Sequence, residues 1–351
     1  MKRRPFLKMV GGIAGTYSMG LQPALAEIRE FKNREAGTCE IPLRELGQTG
    51  EKLPVVTFPG LCLMHLDEET CKKTFSPLVD RGLNLFDVAP AYGRSGECEI
   101  KMGIGLEGIE RSRYFLACKT KMRDKEGART ELERSLQRLK TDYFDLYQMH
   151  HFRTVDEVKE ALGPGGAIET FLKAKEEGKI RYLGFSSHTT RSALAALNEF
   201  QFDTAMFPID YVDYYSFGFG KELLELAEQK GTGVLAMKAL CGGKWPKDAK
   251  KTHEWWYRTI EEPEEVDLAI RFSLSHKPVA SAIPPSFIDI FEKAVTAAKA
   301  YRPIVSEELD RLKEMAVKWE SVFLDEQKQF SRLDPLDLAF PDSPYECGRH
   351  A

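Results

Sequence analysis

The feature that most narrows what this chain can fold into is a regular alternation of short apolar runs with longer amphipathic stretches. Runs rich in apolar, β-branched or aromatic residues occupy 83–89 (LNLFDVA), 114–120 (YFLACKT), 143–150 (YFDLYQMH), 180–186 (IRYLGFS), 204–210 (TAMFPID), 233–239 (GVLAMKA) and 279–284 (VASAIP). Each has the length of a strand. Helical periodicity fills the gaps, at 68–81, 96–106, 128–139, 155–177, 190–200, 220–229, 262–275 and 287–300. In 128–139, Leu132, Leu136 and Leu139 recur three and four apart, an apolar stripe that has to cover a sheet. Counting LCLM (61–64) as the first strand gives eight strand-helix units over roughly 250 residues, the pattern of a closed parallel (β/α)₈ TIM barrel. An open doubly wound sheet would carry a GxGxxG turn after its first strand, and GLCLMH is not one.

The barrel is expected to span 41–300, opening with an N-terminal hairpin in IPLRELGQTGEKLPVVTFPG. Residues 301–351 form a C-terminal helical extension, with a helix in EELDRLKEMAVKWESVF and too few apolar residues for a core of its own. It can close over one end of the barrel or pack as a peripheral helix. The first 26 residues read as an address. MKRRPFLK precedes a weakly apolar, glycine-interrupted run, and Ala24 and Ala26 offer the small side chains of a signal-peptidase site. Arg3-Arg4 followed by Phe6, Leu7 and Lys8 matches a twin-arginine signal, so the expected partner is the twin-arginine export machinery and the expected location periplasmic or otherwise exported. No later run is long enough to cross a bilayer, so no stable membrane span is expected once the signal is removed.

The formal charge of −4, with basic residues interleaved among acids, gives no field for a polyanion, and nucleic acid is excluded as a partner. The seven cysteines include no CxxC pair and read as buried thiols. No metal site is expected, because His150 and His151 are neighbours whose side chains diverge on a strand and no set of thiols or carboxylates completes the ligands.

The chemistry gathers at strand ends. In a barrel the carboxyl ends of the strands form the active face. Asp87 ends the second strand, Tyr92 follows five residues later, Lys119 ends the third and His150 the fourth. A lone tyrosine is a weak acid, but a neighbouring ammonium favours its phenolate, a carboxylate can hold that ammonium, and an imidazole can orient a carbonyl oxygen. Taken singly, each reads first as structural: Asp87 as a helix cap, Tyr92 with Lys119 as a packing pair and His150 as a satisfied wall residue. The convergence of all four at successive strand ends favours a site. His65, His188, Trp255, Trp256, Tyr211, Tyr214 and Tyr215 are candidates for the pocket mouth.

These segments resemble the aldo/keto reductase family over residues 41–300: FDVAPAYG carries its aspartate and tyrosine, ACKTK its lysine, DLYQMHH its histidine, and SGECEIKMG, GFSSH and IPPS extend the likeness. The resemblance implies an oxidoreductase transferring hydride between NADP or NAD and a carbonyl or alcohol, with Tyr92 as general acid/base, Lys119 and Asp87 tuning it and His150 orienting the substrate. It places the carboxamide-holding pair at Ser186 and Ser187, the latter in place of asparagine. Met206 stands where the family has glutamine and Met237 where an aromatic stacks on nicotinamide. Lys238, Ala239, Leu240 and Gly242 fall where a loop approaches the pyrophosphate, and Pro285 replaces a basic residue, so the NADP preference is weakly specified. The substituted positions also admit a noncatalytic small-molecule-binding barrel, and the barrel alone admits nonredox lyase or isomerase chemistry.

Overall fold

A computed structural model describes residues 41–331. The twin-arginine segment, Cys39, Cys347 and the end of the extension lie outside the described residues. The chain opens with an antiparallel hairpin of β1 (Leu43–Glu45) and β2 (Lys52–Pro54), closed by Leu46 N–H donating to Glu51 O at 2.9 Å. Leu46 and Leu53 are fully buried against Leu85, Phe115, Leu146 and Leu235, so the hairpin plugs the amino end of the barrel.

Eight parallel strands follow in chain order: β3 (Phe58–Pro59), β4 (Leu85–Asp87), β5 (Phe115–Thr120), β6 (Phe144–Phe152), β7 (Ile180–Ser187), β8 (Thr204–Pro208), β9 (Gly233–Met237) and β10 (Val279–Ile283). The ring closes where Val56 bridges Ala282 and Thr57 N–H donates to Ala282 O at 2.9 Å. Helices cover the outside. They are α1 (Glu68–Asp80), α2 (Glu97–Gly105), α3 (Lys125–Arg138), α4 (Val155–Leu162), α5 (Ala167–Glu176), α6 (Thr190–Glu199), α7 (Tyr211–Phe217), α8 (Lys221–Lys230), α9 (Pro263–Ser275), α10 (Ile288–Lys299), α11 (Ser306–Ala316) and α12 (Leu324–Ser331). The outer core they share with the strands is set by aromatic edges, with Phe58 meeting Phe75 at 5.3 Å and Phe291 at 5.2 Å between ring centres. Among the described residues no helix is long and apolar enough to cross a membrane. Cys62, Cys71, Cys98, Cys118 and Cys241 are buried free thiols.

Three elements depart from the sequence reading. LCLM is not the first strand: β3 precedes it, and Gly60–His65 coil into a 3₁₀ helix that buries Leu61, Cys62 and Leu63. A four-residue apolar run suits either form, and Gly60 decides it, because a Cβ there would lie 2.3 Å from Asp87 O. The stretch 155–177 is two helices, split at Gly163-Pro164-Gly165-Gly166, where Gly165 takes φ +77°. Finally, α7 is an added helix after β8, started by Asp210 Oδ1 accepting from Asp213 N–H at 2.9 Å and ended by left-handed Gly218.

The extension does both things open to it. Its α11 packs outside, with buried Arg271 of α9 donating to Asp267 and Glu308. The segment after it crosses the carboxyl-end face, where Ser321 Oγ donates to Asp213 Oδ1 and Gln327 Nε2 donates to His188 O at 3.2 Å.

Candidate active site

Alternation along the strands sends every second side chain inward. Leu85 and Asp87, Ala117 and Lys119, Leu146, Gln148 and His150, Gly184 and Ser186, and Leu235 and Met237 therefore form successive layers, apolar below and polar at the carboxyl end. The four residues expected from sequence meet there. Lys119 Nζ donates to Asp87 Oδ1 at 2.5 Å, to Asp87 Oδ2 at 2.6 Å, to Val88 O at 3.3 Å and to Tyr92 Oη at 3.1 Å. Tyr92 also stands 3.5 Å from Asp87 Oδ2, and its ring lies edge-on to His150 with centres 5.8 Å apart. Lys119 is fully buried and Asp87 is 3% exposed.

Burial pushes the Asp87 carboxyl up, opposed by the Lys119 ammonium and by hydrogen bonds from Lys119, Tyr92 and Gln148. His150 is held well below its ordinary value, first by burial and then by the charges of Lys119 and Lys121. It is therefore neutral near pH 7 and has one N–H to give.

Tyr92, Met206 and Met237 line two adjoining lobes of one cleft. The larger, with about 400 Å³ of open space, is walled by Pro59, Leu61, Trp255, Tyr257, Pro284, Pro285 and Ser286, with Lys238 at its edge. The smaller, about 300 Å³, adds Lys121, His150, His151, Ser186 and His188. His151 takes a left-handed backbone (φ +61°) at a register shift between β6 and β7, which breaks strand alternation. His150 and His151 therefore both face the cleft, against the divergence expected from their adjacency. His151 Nε2 lies 2.9 Å from His188 Nδ1, and His188 Nε2 lies 2.9 Å from Lys238 Nζ. Burial lowers both imidazoles well below their usual value, helped at His188 by the Lys238 charge. Beside them Glu326, from α12, is pushed up to about 8 by burial.

The cofactor positions divide. Ser186, Met206, Met237 and Lys238 line the cleft, Ser186 Oγ accepting from His151 N–H at 2.8 Å. Ser187 turns outward, its Oγ donating to Thr189 O at 2.9 Å and meeting Ser192 Oγ at 2.7 Å. Lys238 is left-handed (φ +60°), so the chain leaves β9 abruptly and drives Ala239 and Leu240 into the outer core. Gly242 N–H is given to Arg258 O at 2.8 Å. Of the mouth candidates, His188 and Trp255 line the cleft and Trp256 backs onto Phe323. His65 stacks on Phe287, while Tyr211 donates to Glu265 and Tyr214 and Tyr215 pack on Phe272. Lys121, Tyr257 and Glu326 went unread in the sequence; only Tyr257, two residues past Trp255, carried a local signal.

A nicotinamide dinucleotide needs an apolar seat for the ring, a polar group for its carboxamide and donors for its diphosphate. Met206 and Met237 provide the seat and Ser186 the polar group. Ser286 leads to α10, whose amino end carries no side-chain cap and so keeps backbone N–H groups for an anion. These donors fit the group.

A barrel closed by parallel strands, with a tyrosine, lysine, aspartate and histidine joined over one cleft, defines a class of carbonyl oxidoreductase. The sequence pattern described as the aldo/keto reductase family matches residues 63–322, and the chain belongs to that family. It has the NAD(P)(H)-dependent oxidoreductase activity typical of the family. An L-galactose dehydrogenase of Arabidopsis thaliana is 27% identical over 284 residues, covering 70% of this chain and 83% of that protein. The aldo-keto reductase YhdN of Bacillus subtilis is 34% identical over 151 residues, which span 38% of this chain and 44% of that protein. Among solved structures, the holo form of an aldo-keto reductase from Bacillus halodurans is 25% identical with a TM-score of 0.63, covering 78% of this chain and 96% of that one. An aldo-keto reductase of Klebsiella pneumoniae in complex with NADPH, 19% identical with a TM-score of 0.61, shares the fold over 79% of this chain and 95% of that one.

Proposed function

We propose that Tyr92 moves the proton that accompanies hydride transfer between a nicotinamide and a carbonyl or alcohol substrate. The observation that carries this is the 3.1 Å contact of Lys119 Nζ with Tyr92 Oη at the wall of the cleft. The bound cofactor supplies or accepts the hydride at the substrate carbon. In reduction, the Tyr92 hydroxyl gives its proton to the carbonyl oxygen, and the Lys119 ammonium stabilises the phenoxide left behind; Asp87 holds that ammonium in place. Neutral His150 donates a hydrogen bond to the same oxygen and fixes its direction. In alcohol oxidation the proton returns to Tyr92.

Titration with NADPH and with NADH, followed by turnover of a carbonyl panel, tests the reading. Tyr92→Phe is expected to keep cofactor affinity and to lose roughly 10²- to 10⁴-fold in kcat. Full turnover by that variant removes Tyr92 from the role. A folded protein that binds neither nucleotide is a noncatalytic ligand-binding barrel, and product formed without cofactor identifies lyase or isomerase chemistry.

We further propose that Arg3-Arg4 direct the chain through the twin-arginine machinery to the periplasm. A double Arg3→Lys, Arg4→Lys variant should stay inside the cell on fractionation, and equal export of both forms counts against the signal.

A further inference from the structure

At the smaller lobe, which His151 and His188 line, stands a group of ligand-type side chains that proton and hydride transfer do not use. His151 comes from the end of β6, His188 from the loop after β7 and Glu326 from α12, so barrel and extension both contribute. His151 Nε2 and His188 Nδ1 are 2.9 Å apart, and a nitrogen of each ring and a Glu326 oxygen all lie within 4.8 Å of one another. All three residues are buried, and Glu326 Oε2 has no hydrogen-bond partner. A carboxylate oxygen taken out of water without a hydrogen-bond partner is unfavourable, and helix α12 places this one beside two buried imidazoles. The left-handed backbone at His151 has the same consequence: it turns a ring toward the cluster that a regular strand would send the other way.

We propose that His151 Nε2, His188 Nδ1 and the Glu326 carboxylate form a site for a divalent transition metal of the zinc class. Two imidazoles and one carboxylate are a donor set that zinc accepts in four-coordinate form, and since both imidazoles line the cleft the fourth position is left for water or a ligand oxygen. Metal there ties α12 to the ends of β6 and β7. Lys238 touches the other nitrogen of the His188 ring, leaving Nδ1 on the side of His151. Without metal its ammonium donates to His188 Nε2, and His188 Nδ1–H donates to His151 Nε2. Arg153, Lys238 and Glu157 are the charged groups acting on Glu326.

The test is titration of EDTA-dialysed full chain, free of any histidine tag, with Co²⁺ alone. One equivalent bound with the intense visible absorption of four-coordinate cobalt, and displaced by Zn²⁺, is the expected result. The weak spectrum of six-coordinate surface cobalt, or no stoichiometric uptake, overturns the proposal, and this reading needs no variant to fold. Glu326→Gln should weaken binding by at least roughly tenfold, the scale on which even outer partners of a metal site act. His253→Ala removes the imidazole that pairs with Glu261 and Asp289 and should leave binding unchanged. Uptake lost in His253→Ala and kept in Glu326→Gln also overturns the proposal.

Discussion

Asp87 and Lys119 place opposite charges side by side out of water, so neither can lose the other without leaving a buried ion unpaired. Lys119→Met keeps the length of the stem and removes the ammonium. It should lower the stability measured by urea unfolding by about 3–5 kcal/mol, as other half-broken buried pairs do, besides ending turnover. His276 acts in the opposite sense of charge. It follows α9 and packs against Tyr214 and Phe272, and burial, with the Arg44 charge, lowers its pKa to about 4. The unfolded chain therefore takes up a proton on this ring as pH falls through about 6.5, while the folded chain resists until about 4. The stability it contributes is complete above pH 6.5 and disappears toward pH 4. Unfolding at both pH values should show His276→Gln losing less stability on acidification than the wild type, by on the order of 2 kcal/mol. At this scale Asp87, Tyr92, Lys119 and His150 were legible because each sits at or just beyond a strand end in a distinctive segment. Glu326 was not, since only tertiary packing brings a residue of the extension to His188.

Elements were legible where length and period agreed. The runs at 114–120, 143–150 and 233–239 are long enough to be read as strands, and the amphipathic stretches between them fall on helices. LCLM failed because periodicity in four residues cannot tell a strand from a tight helical turn, and the deciding contact, Gly60 against Asp87 O, is made with a strand more than twenty residues away. That contact is itself testable. In Gly60→Ala the added methyl would lie 2.3 Å from Asp87 O and 2.9 Å from Met102 Cε. The methionine can turn aside, but the carbonyl belongs to β4, which is pinned to β3 and β5. The strand must shift, and Asp87 moves with it. A stability decrease of about 1–3 kcal/mol is expected from overpacking, measured by thermal or urea unfolding. A fall in kcat should accompany it, since small displacements of a positioned group are amplified in rate. An unchanged midpoint would show that the 3₁₀ segment yields instead.

For the molecule as a whole, the question is whether the extension is an appendage or part of the barrel's core. Sequence reading left both placements open, because a charged helix with few apolar residues says how it is amphipathic but not what it covers. The packing answers it. Leu312, Ala316, Val322 and Phe323 join the same outer core as the barrel helices, and Phe323 stacks on Phe219 with ring centres 5.0 Å apart and also meets His188 and Trp256. Asp213, at the start of α7, accepts hydrogen bonds from Ser321 and from the Phe323 backbone, so the crossing segment is anchored at and just before that ring. Phe323→Ala removes a fully buried aromatic and opens a void between α12 and the strand ends. If the extension were an appendage, the variant would loosen the tail early and leave the barrel's own transition in place. With a shared core, one cooperative transition should move as a unit, by about 3–5 kcal/mol for a buried Phe→Ala change. Intrinsic tryptophan fluorescence and far-UV circular dichroism followed through the same urea series separate the two outcomes. Coincident curves displaced together are expected, whereas a fluorescence change that precedes the loss of secondary structure would mark the tail as independent.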